Sequence, residues 1–198
     1  MVFKKLLDSV TDSNSGEPDA WQALAEEMGL SYRPAKGSQS AKMRGEIDGH
    51  LVKVDLRQNR PFEIEGKFRS GSIPLNVRQK REGTYIDKRR VVPTGDQAFD
   101  ARFSVLSDDE RQDSIVLPYL TPTRRAVLIA VGDALEIDEV DSNELEVKLS
   151  NEAEPAQLRE AIELVAMAVK ALDESGTPQD AVRTSADRAD YPQDEVRE

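Results

Sequence analysis

The chain of 198 residues contains no cysteine, one histidine and one tryptophan. Without cysteine there is no disulfide, thiolate metal site, iron–sulfur cluster or cysteine nucleophile. Aromatic residues are scarce at 5%, which argues against a deep pocket lined with rings. Phosphate-cradling glycine signatures are missing too: GSQSAKMRG and RSGSIP fit neither GxxxxGK[ST] nor GxGxxG. No apolar run approaches the roughly 18 residues of a membrane span. The opening MVFKKLLDSV holds too few apolar residues for a signal-peptide core, so the expectation is a cytoplasmic protein without membrane insertion.

What is present is charge. Charged residues make up 33% and hydrophobic residues 38%, a polar but globular composition. The net charge of −11 argues against a dedicated nucleic-acid or anionic-membrane binder. Against that background stands one basic segment. Lys67 and Arg69 lead into Arg78, Lys80, Arg81, Lys88, Arg89 and Arg90, opposed over 78–90 only by Glu82 and Asp87. Gly83 is placed to turn the chain between two strands, with Tyr85 near the tip as a stacking ring. Such a ribbon has three readings. Its charge can protect a sheet edge or pair within the chain. It can meet a protein partner. Or it can track a polyanion such as nucleic acid, which the net charge disfavours.

Periodicity predicts the elements. Phe3, Leu6, Leu7 and Val10 have helical spacing, giving an arm or short helix over 1–16. A helix follows over about 18–28, with Trp21 anchoring its apolar face in the core and Gly29 as its stop. Strands at 43–47 and 51–56 flank Asp48-Gly49, a strong hairpin signal, with Val52, Val54 and Leu56 on the apolar face. Alternation at 62–68 and 73–77 predicts two further strands, joined through Ser70-Gly71-Ser72 as a meander. Phe99, Ala101, Phe103 and Val105 alternate as another strand, and Ser107 with Glu110 has capping-box spacing. Thr121-Pro122 starts a helix that Gly132 stops, a second hairpin surrounds 141–143, and Pro155 opens the longest helix, to about 173. The fold class is therefore α+β: a curved antiparallel sheet or partial barrel of seven or eight strands, with an N-terminal, a middle and a long C-terminal helix. A pleckstrin-like barrel is one compatible form. A single domain spans 17–175, and 176–198 reads as a disordered acidic tail.

Residues suited to chemistry are few. His50 sits at a hairpin tip and reads as a solvated loop histidine, with no orienting partner or nucleophile evident by spacing. Asp96, Asp100 and Asp108 are the oxygen ligands a metal-dependent hydrolase would use, but they lack EF-hand order. The simpler reading is a turn aspartate and a capped helix start. No metal site and no cofactor is expected.

The strand FDARFSV after TGD, with Phe99, Asp100, Phe103 and Val105 at the marked positions, resembles an FD-x-x-F-x-V pattern of uncharacterised bacterial domain-of-unknown-function proteins. That resemblance implies a bacterial origin and supplies no activity or site. By elimination, the expected function is a non-enzymatic interaction or scaffold protein that binds an unknown protein partner through a sheet edge or the basic ribbon. The alternatives are polyanion binding and a metal-dependent hydrolase.

Overall fold

A computed structural model describes residues 20–68, 75–81 and 88–174. The expected arm at 1–16, the expected tail at 176–198, and Arg69, Gly83 and Tyr85 lie outside the described residues. The chain runs through helix α1 (Ala20–Glu27) and strands β1 (Ser31–Arg33), β2 (Ala41–Ile47), β3 (His50–Leu56) and β4 (Phe62–Lys67). It continues through β5 (Asn76–Gln79), β6 (Arg90–Val92), α2 (Gln97–Arg102), β7 (Phe103–Ser107), α3 (Glu110–Tyr119) and α4 (Pro122–Ala134). It ends in β8 (Glu136–Asp141), β9 (Glu144–Leu149) and α5 (Pro155–Glu174).

Among the described residues nine strands join one antiparallel sheet in the order β1-β2-β3-β4-β9-β8-β5-β7-β6, against the seven or eight expected. The class is α+β as expected, and the sheet is not closed into a barrel: β1 and β6 are the edges of the described strands and do not pair with each other. The β2–β3 hairpin forms where expected. Asp48 and Gly49 adopt φ of 51° and 75°, the two positive values that match hairpin twist.

Long-range pairing departs from the expected meander. β4 and β5 are not neighbours, because the β8–β9 hairpin inserts between them. β9 pairs with β4 along its length, Phe62 opposite Leu149 and Lys67 opposite Glu144. Local structure also corrects the strand expected at 99–105. Asp96 accepts hydrogen bonds from the backbone N–H groups of Ala98 and Phe99, capping α2 over the first half of that segment. Phe99 and Phe103 then stack with ring centroids 4.9 Å apart. At the next helix the cap is Asp109, whose carboxylate accepts from the Arg111 N–H, while Ser107 donates its hydroxyl to the Asp109 carbonyl. Gly132 does not stop α4, which continues to Ala134. A Cβ there would lie 2.9 Å from the Phe103 ring, so this glycine lets helix and ring approach.

The core lies between the sheet and its helices. Leu158, Ile162, Val165, Val169 and Leu172 form the fully buried stripe of α5, which packs on β3, β4 and β9 and against α4 and α1. Gly66 sets the approach: a Cβ there would lie 2.5 Å from Val169 and 2.8 Å from Val165. Trp21 is half-buried against this core, edge to face with Phe62 at 5.6 Å.

Candidate functional site

Because Gly66, Ile64, Leu145 and Val147 point toward α5 and the core, the alternate residues of the same strands point to the sheet's other face. Nearly all of them are charged. Register aligns Arg44, Lys53, Glu65, Glu146 and Glu139 in one row across β2, β3, β4, β9 and β8. A second row carries Lys42, Asp55, Glu63, Lys148 and Glu136. Cross-strand ion pairs link neighbouring strands along these rows, Lys42–Asp55 at 3.0 Å and Lys53–Glu65 at 2.8 Å, and Lys148 also reaches Asp138 on β8 at 2.7 Å. Burial pushes the Asp55 carboxyl up, but the Ser40 hydroxyl, Lys42 and Arg57 reverse this and hold it below the usual range. Asp138 behaves alike, with Lys148 and Arg81 outweighing burial. Glu146 is the exception. Burial and the neighbouring Glu63, Asp138 and Glu65 carboxylates push it up, and Lys148 only partly opposes them.

The basic residues singled out from sequence spread along this sheet. Lys67, at the end of β4, bonds Glu65 and Glu144. Arg78 on β5 reaches Glu139 at 3.1 Å. Arg81 reaches both Glu136 and Asp138 at 2.9 Å. Lys80 donates its ammonium to the Asp100 carbonyl at 2.5 Å, and Arg90 on β6 pairs with Asp113 at 2.5 Å. Lys88 is exposed and Arg89 half-buried just before β6. β7 lies between β5 and β6, so residues 78–80 and 88–90 do not face each other as one hydrogen-bonded ribbon.

His50 is a correction. It is 3% exposed, at the first position of β3, in phase with Val52, Val54 and Leu56. Its Nδ1 lies 3.2 Å from the Asp48 carbonyl and its Nε2 3.2 Å from Asp173 Oδ2 in the last turn of α5. Sequence alternation carried the signal, since the apolar phase of β3 extends back to position 50. Nothing local pointed to Asp173. Beside this pair, Arg124 is buried, 1% exposed. Its Nε donates to the Leu172 carbonyl at 2.9 Å and its Nη1 to the Tyr119 carbonyl at 2.8 Å, with the guanidinium 3.7 Å from the Tyr119 ring centre. The Tyr119 hydroxyl also donates to Leu172, at 3.0 Å. Burial pushes the Arg124 guanidinium down against the support of Tyr119 and Asp173, and pushes the Tyr119 hydroxyl up against the pull of Arg124. These donors satisfy the C-terminal carbonyl of α5, where the helix dipole favours positive charge.

Of the three aspartates considered for metal chemistry, Asp96 and Asp100 are engaged otherwise, and Asp108 is exposed just before α3. Asp96 caps α2 and accepts from Arg125 at 3.0 Å. Asp100 accepts from the Thr94 N–H, the Thr94 hydroxyl and the Gly95 N–H. Among the described residues no three acidic or histidine side chains group as a metal site.

The chain is thus an open-sheet α+β protein, with helices packed on one face and a charge lattice on the other. The crystal structure of the mycobacterial trehalose monomycolate transport factor A, TtfA, shares its fold. The two superpose with a TM-score of 0.55 over 77% of this chain and 92% of that one, at 15% identity. No family model and no curated protein sequence matches. Among the described residues no helix is long and apolar enough to cross a membrane.

Proposed function

We propose that this chain is a non-enzymatic cytoplasmic accessory protein that binds a protein partner across the charged face of its sheet, opposite the helices, and the basic residues at 67–90. The observation that carries this reading is the two-sidedness of the sheet. One face is consumed by the core, while the other presents ordered rows of charge on a rigid framework. Such rows favour specificity and register in a protein–protein contact more than raw affinity. Support also comes from how the residues able to do chemistry are used. His50 has an acceptor at each ring nitrogen, and Asp96 and Asp100 hold backbone N–H groups. The name of the structural neighbour assigns that protein to trehalose monomycolate transport. Carried to this chain, it favours an accessory component over an enzyme.

Affinity capture from lysate, with and without nuclease, tests this reading. A stoichiometric protein recovered in both arms supports it. Recovery lost with nuclease, and falling steeply with salt, makes the protein a polyanion binder instead.

A further inference from the structure

Three of the chain's ten aromatic residues meet at one place. Trp21 of α1, Tyr32 of β1 and Phe62 of β4 line one open cleft of about 440 Å³ at the end of the sheet, within the rough 300–1,000 Å³ of small-molecule sites. The turn between β3 and β4 supplies Gln58 and Asn59 to the same cleft, and the turn before α5 supplies Asn151. These three amides are exposed and form no hydrogen bond within the described residues. Among the described lining residues the one charged side chain is Arg57, whose guanidinium is already paired with Glu63 and Asp55.

We propose that this cleft binds an uncharged carbohydrate. The assignment follows from what each ligand class needs. An anion or cation needs an unmatched opposite charge, and the described lining residues supply none. A purely apolar ligand leaves three amides facing it without partners, which costs affinity. A sugar ring satisfies both halves of the lining. Its C–H face carries partial positive charge and packs on electron-rich aromatic faces. Its hydroxyls both donate and accept, as a primary amide does with its NH2 and its oxygen. Asn59 sits in the left-handed region at φ 60°, which fixes its position at the tip of the turn.

The chain carries a built-in probe, because Trp21 is its sole tryptophan. The full chain is titrated with glucose, galactose, maltose and cellobiose while tryptophan fluorescence is followed. A saturable change with at least one sugar, half-complete at about millimolar concentration, is expected. Asn59→Gly keeps the left-handed backbone and removes the amide; Asn151→Ala removes the other. Each is expected to weaken the response about three- to tenfold, the weight of one neutral hydrogen bond, with an unchanged thermal midpoint. No saturable change with any of the four sugars, or a response that both variants leave intact, overturns the proposal.

Discussion

Nε2 of His50, at the start of β3, lies 3.2 Å from Oδ2 of Asp173, 123 residues further along the chain. The contact ties the tip of the β2–β3 hairpin to the last turn of α5, and Lys170 reaches Asp48 across the same junction at 3.4 Å. Both ring nitrogens face acceptors, so the histidine is a structural clasp rather than a base open to substrate. His50→Ala is expected to cost about 2 kcal/mol in urea unfolding, because it removes buried packing and a partner of the largely buried Asp173 carboxylate.

Arg124 holds the same junction from the other side. Its removal takes one of two donors from each carbonyl, leaving Leu172 with the Tyr119 hydroxyl and Tyr119 with the Thr121 N–H, and it empties a buried site the size of an arginine side chain. Arg124→Met is expected to lower unfolding stability by about 3 kcal/mol. Arg124→Lys recovers less than half of that loss, since one ammonium cannot reproduce the planar fork. Full recovery with lysine contradicts the geometry.

Local signals and long-range pairing were unequally legible in the sequence. The Asp48-Gly49 turn, the Thr121-Pro122 start and the α5 stripe are each encoded within a few residues, and all formed as read. The segment 99–105 satisfied two periods at once. Phe99 and Phe103 are spaced for a helix as well as a strand, and the Asp96 cap decided for the helix. Insertion of β8–β9 between β4 and β5 leaves no local mark, because strand order depends on partners some 80 residues apart. The same holds for the site: Lys67, Arg78 and Arg81 were visible as charges, while the carboxylates that meet them come mostly from β8 and β9.

At Gly66 the α5 side chains pack directly onto the sheet backbone. Gly66→Ala puts a methyl group against Val165 and Val169 and is expected to destabilise by about 1–3 kcal/mol. Pairing it with Val169→Ala restores part of the loss, which a double-mutant cycle reads as coupling.

Glu146 makes the charge lattice pH-sensitive. Its carboxyl is pushed up by burial and by Glu63, Asp138 and Glu65, so the folded chain holds its proton more tightly than the unfolded chain does. Its share of stability is therefore lost as pH rises from its ordinary value of 4.5 through the raised folded value. Glu146→Gln is expected to raise stability at pH 7 by about 0.5 kcal/mol, a figure reduced for its exposure to solvent. The advantage disappears at acid pH, where the native carboxyl is also neutral. Urea titrations of both proteins at several pH values read this directly.

The claim that the charged face of the sheet receives the partner is tested most directly by affinity capture with paired surface variants. Lys53→Glu with Lys148→Glu reverses charge on that face; Glu160→Lys with Glu163→Lys does so on the exposed side of α5. Partner recovery is expected to fall at least tenfold with the first pair and to persist with the second. Recovery that survives reversal of the sheet face, or is lost only with the helix variants, contradicts the account.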